Sequence, residues 1–238
     1  MSAPLRVGVI GLGARCVIAE NCHKATIPAE LVGGCDPNPA MRQRATEVLG
    51  DYPWFETLDE LLELGIDCAI VTSPDDTHED ITCALLEAGV AVYLEKPIAI
   101  TIEGSDRVLE TAYRTKTPLY VGHNMRHMAV VRILRQVVQD GLIGEVRAIW
   151  CRHFVGNGGD YYFKDWHADR SRTTGLLLQK AAHDIDVMNW LSDSVPERVV
   201  GMGDLMLYGK LTDRSGQKPD VVMSDWFSFD NWPPASLT

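Results

Sequence analysis

No stretch of the 238 residues stays apolar long enough to span a bilayer. The first residues lack a basic segment followed by an apolar core and a small-residue cleavage site, so no signal peptide is expected. The six cysteines (Cys16, Cys22, Cys35, Cys68, Cys83 and Cys151) include no C-x-x-C pair. Most fall inside apolar runs, the pattern of reduced, buried thiols in a cytoplasmic protein. Neither the cysteines nor the seven histidines show metal-ligand spacing, so no metal is predicted. The absence of G-x-S-x-G weakens a serine-hydrolase reading. Positive charge is scarce: 22 Lys and Arg face 33 Asp and Glu, a net charge of −11. Such a surface repels nucleic acid and anionic membranes and favours a small-molecule partner. No repeat, low-complexity tract or flexible linker is present, and the length suits two modest domains or one large one.

The first half alternates strand and helix. Leu5–Ile10 is an apolar strand followed by the turn Gly11-Leu12-Gly13-Ala14-Arg15-Cys16, a helix, and a second apolar run, Leu31–Cys35, that ends on Asp36. In a dinucleotide-binding unit the first glycine permits the tight turn and the second lets the backbone approach the pyrophosphate. The helix N-terminus faces the phosphates, and the acid bonds the ribose hydroxyls. Asn38 is a predicted N-cap with Pro39 in the first helical position. Thr57-Leu58-Asp59-Glu60 is a capping box whose helix ends at Gly65. Cys68–Val71 reads as a strand buried on both faces. A helix from Thr77-His78-Glu79-Asp80 to Gly89 leads into the strand Val90–Leu94. Another, from about Thr101 to Tyr113, leads into Leu119–Val121. This alternation predicts an α/β fold, an open doubly wound parallel sheet of the Rossmann type over residues 1–123. Ligands on such sheets bind beyond the carboxyl ends of the strands, where Asp36, Thr72-Ser73-Pro74, Glu95-Lys96-Pro97 and Gly122-His123-Asn124 fall.

After residue 124 the rhythm changes. Met128–Val138 reads as an amphipathic helix, Val146–Phe154 as a strand, 156–174 as a loop and Leu176–Leu191 as one helix. Val199–Leu207 and Val221–Phe229 read as further strands. Residues 124–238 are thus expected to form an α+β sheet domain. Within it, His183 and Asp186 stand three apart on one helical face, where a carboxylate can orient an imidazole. The competing reading is a satisfied core histidine. Lys96 is either a proton-transfer group tuned by burial or a surface lysine in a turn. The aromatics of Tyr161–His167, Trp166 among them, either face a ligand or pack the loop.

These features together resemble the Gfo/Idh/MocA family (glucose–fructose oxidoreductase, inositol dehydrogenase, rhizopine catabolism). The resemblance runs from Val7 to about Leu191. It rests on Gly11-Leu12-Gly13-Ala14-Arg15, Asp36-Pro37, Thr72-Ser73-Pro74 with His78, Glu95-Lys96-Pro97, Gly122-His123-Asn124-Met125-Arg126, Gly144-Glu145-Val146 and His183-Asp184-Ile185-Asp186. It implies a nicotinamide-dinucleotide domain and a C-terminal sheet domain completing the substrate site. Implied cofactor contacts are Gly11, Gly13, Ala14, Arg15, Asp36, Thr72, Ser73, Pro74, His78, Glu95, Lys96, Asn124 and Arg126. Implied substrate contacts are Lys96, Trp166, Gln179, Lys180 and His183. Lys96 would contact the nicotinamide ribose and the reacting hydroxyl, and His183 would accept that hydroxyl's proton. A cis Lys96–Pro97 peptide is common in such proteins. The expected cofactor is NAD, because the Asp36 carboxylate repels a 2′-phosphate. Arg15 is the one residue that speaks for NADP.

Three departures stand out. Cys16 replaces the third fingerprint glycine. Gln179 stands where many relatives carry an aspartate, four residues before the histidine, and Lys180 follows it. The chain is also shorter than the family norm, with an apolar tail of Trp226, Phe227, Phe229 and Trp232, so an incomplete second domain is expected. The leading expectation is an NAD-dependent oxidoreductase acting on a CH–OH group of a sugar or cyclic polyol. The alternatives are an NAD-retaining glycoside hydrolase and a non-catalytic dinucleotide or sugar sensor. A homo-oligomer through the C-terminal sheet is a further implication of the resemblance.

Overall fold

The computed structural model describes residues 3–24, 26–154, 162–163 and 165–204. The chain divides into two units, Met1–Asn124 and Met125–Thr238. In the first, six parallel strands pair in the order β3-β2-β1-β4-β5-β6: β1 (Leu5–Ile10), β2 (Ala29–Cys35), β3 (Trp54–Phe55), β4 (Cys68–Val71), β5 (Ala91–Leu94) and β6 (Leu119–Val121). Parallel neighbours require crossovers, which include α1 (Pro39–Leu49), α2 (Leu58–Leu62), α3 (His78–Glu87) and α4 (Ile102–Thr115). Successive strand side chains point to opposite faces, and two apolar clusters follow. Val9 packs with Leu12, Cys16, Ala19, Leu31 and Ala45, whereas Ile10 packs with Val71, Leu85, Leu86, Val92 and Leu94. Strand order reverses at β1, so β1 and β4 flank the switch point where such sheets bind ligands.

Local chemistry set the element ends as expected. The Asn38 side chain accepts from Ala40 N at 3.0 Å, with Pro39 as the first helical residue. Thr57 and Glu60 form the reciprocal capping box, and Gly65 and Gly89 follow their helices at φ of 68° and 76°. One difference is the segment after the glycine turn. Ala14–Lys24 winds as a 3-10 helix rather than an α-helix. It holds the β-branched pair Val17-Ile18 together with Cys16, Asn21, Cys22 and His23, all indifferent α-formers, and the residue before it, Gly13, has no side chain to cap with.

The second unit, among the described residues, is helical: α5 (Ala129–Gln139), α6 (Arg170–Thr173), α7 (Leu176–Gln179) and α8 (Ala181–Ser192). Here α5 packs against α8. Trp190 of α8 has Arg126 and Arg135 over its ring at 5.6 and 5.5 Å, and its carbonyl accepts from Arg135. The single helix expected over 176–191 is two, broken at Lys180 (φ −112°, ψ −51°). The strand expected over 146–154 does not form, and residues 199–204 are likewise without regular structure. A strand exists only as one side of a paired ladder. The rest of 199–207, the strand expected over 221–229 and the tail aromatics lie outside the described residues. No helix among the described residues is long and apolar enough to cross a membrane.

The two clusters carry the stability of the first unit. Leu85 is fully buried whereas Leu109 on α4 is 49% exposed. Leu85→Ala is therefore expected to lower unfolding free energy by about 2–5 kcal/mol. Leu109→Ala should stay within about 0.5 kcal/mol. Urea titration of both variants checks the contrast.

Candidate cofactor and active site

The β ladders run past the strand ends and bring five turns to the carboxyl edge of the sheet. Gly11 N bonds Cys35 O, Asp36 N bonds Phe55 O, Thr72 N bonds Ile10 O, Glu95 N bonds Val71 O and Gly122 N bonds Leu94 O, at 2.7–3.1 Å. At the switch point the first two turns touch. Gly11 sits at φ 84°, and a Cβ there would lie 2.4 Å from Ser73 N, so only glycine fits. The Thr72 hydroxyl donates to Gly11 O at 2.7 Å. A Cβ on Gly13 would meet nothing within 4 Å, so the face of this turn is open.

Asp36 joins that turn to the start of α1. Leu12 N donates to Asp36 Oδ2 and Asn38 N to Asp36 Oδ1, each at 2.8 Å. Two arginines of α1, which fingerprint reasoning missed, complete the corner. Arg42 donates to the carbonyls of Asp36 (2.6 Å) and Pro37 (3.2 Å). Arg44 donates to the Gly13 carbonyl at 2.8 Å. In the sequence both look like ordinary solvated helix arginines.

Arg15, the residue favouring NADP, donates through Nε to the buried Glu95 carboxylate at 2.7 Å, so its charge is already matched. Lys96 follows Glu95, is half-buried, and its peptide to Pro97 is cis. Ser73 accepts from Thr77 through its hydroxyl at 2.7 Å. His78 is only 1% exposed, with Nδ1 2.7 Å from Pro97 O and Nε2 3.0 Å from Ser73 O. It lies beneath the turns and fastens the one carrying Ser73-Pro74 to the one carrying Lys96-Pro97. Asn124 is exposed and opens a short 3-10 turn. Ala14 begins the 3-10 segment after the glycine turn.

In the second unit His183 and Gln179 are buried, at 7% and 3% exposure. Lys180 lies between them, half-buried at the helix break. Arg126, implied as a cofactor contact, spends its guanidinium on Asp186, with Nε 2.7 Å and Nη2 2.5 Å from the carboxylate. Asp186 thereby serves Arg126, a role that spacing to His183 gave no sign of. His153 Nδ1 lies 3.0 Å from both carboxylate oxygens of Asp184. Trp166 stacks on His167 at 3.8 Å and lies under Arg172 at 5.8 Å. Tyr161 and Lys164 of the same loop lie outside the described residues. Of the thiols, Cys16, Cys35 and Cys83 are buried, Cys22 and Cys68 are half-buried, and Cys151 is exposed.

Burial pushes the Cys35 thiol up to about 12, with the neighbouring Asp36 charge adding to it. Burial likewise pushes the Tyr93 hydroxyl up to about 12, reinforced by Glu95. Both groups stay neutral in the folded chain after their unfolded counterparts, with ordinary values of 9.0 and 10.0, have ionised. Their contribution to stability is complete below about pH 9 and is lost as pH rises toward about 12. Urea midpoints are expected to fall as pH rises from about 9 to about 11, with Cys35 contributing at most about 1.4 kcal/mol per pH unit. Cys35→Ala should flatten the slope.

The family described as the oxidoreductase family with an NAD-binding Rossmann fold (GFO_IDH_MocA) matches residues 5–123. The GFO/IDH/MocA C-terminal domain matches residues 131–225. Inositol 2-dehydrogenase from Serratia proteamaculans is 30% identical over 197 residues, covering 79% of this chain and 55% of that protein. Inositol 2-dehydrogenase from Rhizobium meliloti is 28% identical over 207 residues, covering 85% and 59%. Among solved structures, scyllo-inositol dehydrogenase from Lactobacillus casei, with bound NAD(H) and scyllo-inositol, superposes with a TM-score of 0.69 at 26% identity, covering 80% of this chain and 57% of that one. The chain thus spans little more than half the length of these relatives. With the strand order, the glycine turn and the acid at the end of β2 in place, the chain belongs to the Gfo/Idh/MocA oxidoreductase family, and its N-terminal domain is an NAD-binding Rossmann fold.

Proposed function

We propose that the protein oxidises a hydroxyl-bearing carbon of a sugar or cyclic polyol, or reduces the corresponding ketone, with NAD as its redox partner. The observation that carries this reading is the cradle at the switch point. Gly11 leaves no room for a side chain, the surface over Gly13 is open, and the Asp36 carboxylate faces the end of the turn. These residues fit a dinucleotide. Each Asp36 oxygen accepts one backbone N–H, which leaves lone pairs for two ribose hydroxyls. The same carboxylate disfavours a 2′-phosphate. NAD, when bound, supplies the hydride acceptor at its nicotinamide ring.

The remaining chemistry falls to side chains. Lys96 would hold the nicotinamide ribose and the reacting hydroxyl and stabilise negative charge on that oxygen. The hydroxyl proton passes to the imidazole of His183, whose burial shields it from competing bulk water. Gln179 and Lys180 hold neighbouring substrate hydroxyls, Gln179 as a neutral amide. His78 acts by fastening the turns on either side of it. The six free cysteines support a cytoplasmic setting, and association of copies through the second domain completes the proposal.

The buried, uncharged Gln179 favours one second reading, a sensor that binds dinucleotide or polyol without turnover. Absorbance at 340 nm with NAD over a panel of inositols and sugars separates the two. The dehydrogenase reading predicts NADH formation that falls by about 10²–10⁴ in kcat for His183→Ala. Lys96→Ala should lose both turnover and affinity. Saturable NAD binding with no turnover across the panel favours the sensor. Cleavage of a glycoside without net NADH favours an NAD-retaining hydrolase.

A further inference from the structure

We infer that Arg44 fixes the peptide orientation of the glycine turn and is a positioning residue for the dinucleotide pyrophosphate; this rests on the NAD reading above. Arg44 belongs to α1 and to no part of the glycine fingerprint. Its Nη1 donates to Gly13 O at 2.8 Å, to Leu12 O at 3.4 Å and to Cys16 Sγ at 3.6 Å. The peptides of this turn are trans, since Lys96–Pro97 is the cis bond among the described residues. In a planar trans peptide the carbonyl and the following N–H point in opposite directions. Holding the carbonyls of Leu12 and Gly13 toward Arg44 therefore aims the N–H groups of Gly13 and Ala14 the other way. Anions are bound by backbone N–H groups arranged in this manner.

The other peptides of the turn are already committed. Leu12 N–H is held by Asp36 at 2.8 Å and the Gly11 carbonyl by Thr72 at 2.7 Å. Arg44 thus grips the part of the turn that neither Asp36 nor Thr72 reaches, with the Cys16 amide as a second donor to Gly13 O at 3.2 Å. It also accounts for Cys16. The thiol that replaces the third glycine is fully buried, and its sulfur accepts from the same guanidinium nitrogen. The departure from the fingerprint and the arginine that supports the turn form one arrangement.

Two roles are open to such a residue: stitching α1 to the loop, or aiming the amides. They differ in which ligands respond to its loss. The test compares the 238-residue chain with Arg44→Met, measuring dissociation constants for NAD and ADP-ribose, which carry the pyrophosphate, by calorimetry. Adenosine, which lacks it, is followed by ligand-observed NMR. Loss of a charge-assisted hydrogen bond should weaken NAD and ADP-ribose by about 10- to 100-fold. Adenosine should stay within about twofold. Arg44→Lys, which keeps a cationic donor, should recover part of the loss. If Arg44→Met fails to fold, Arg44→Lys takes its place with the same ligand contrast and a smaller shift. An equal loss for all three ligands means a structural stitch and overturns the inference, as does no loss for NAD and ADP-ribose. Failure of the unmodified chain to bind either would overturn the dinucleotide reading and this inference together.

Discussion

One carboxylate holds the carboxyl edge of the sheet in order. Asp36 accepts the Leu12 amide on one oxygen and the Asn38 amide on the other. It thereby joins the turn after β1 to the turn that starts α1. Hydrogen bonds to a charged acceptor contribute about 1.5–3 kcal/mol each, and a buried amide left without its acceptor costs a similar amount. The glycine turn is otherwise built from residues with little preference for one conformation. Its shape follows from the groups that grip it, Asp36 among them.

The same device recurs along the edge. Thr72 ties the turn after β4 to the glycine turn, Arg15 and Glu95 tie the glycine turn to the turn after β5, and His78 ties the turns after β4 and β5. Each tie is made by side chains reaching across to a neighbouring loop. The loops that would meet a dinucleotide are therefore fastened to one another before any ligand arrives, which lowers the ordering cost of binding. This also explains why His78 and Arg15 stand close to the cofactor fingerprint while pointing at protein groups.

Much of this was legible in the sequence, for identifiable reasons. The alternation of apolar runs with capped helices made the open parallel sheet legible, because caps such as Asn38 and Thr57 act locally, whereas the strand order came from the structure. Gly11 and Asp36 were legible because a tight turn and an acid at a strand end have a specific spacing. Arg44 was not, since its partners are main-chain carbonyls more than 25 residues away and no spacing rule encodes them. The break at Lys180 was equally hidden, because Leu176–Ala182 contains neither glycine after the start nor proline and reads as continuous helix. The absence of a strand over 146–154 reflects pairing, a property of the partner as much as of the strand.

The central claim is that the Asp36-centred corner is a dinucleotide site selective for NAD. The most direct test is a pair of calorimetric titrations of the unmodified chain, one with NAD and one with NADP. The account predicts saturable binding of one NAD per chain and NADP binding at least about tenfold weaker, because the 2′-phosphate meets the carboxylate. Absence of NAD binding, or tighter binding of NADP, would contradict it.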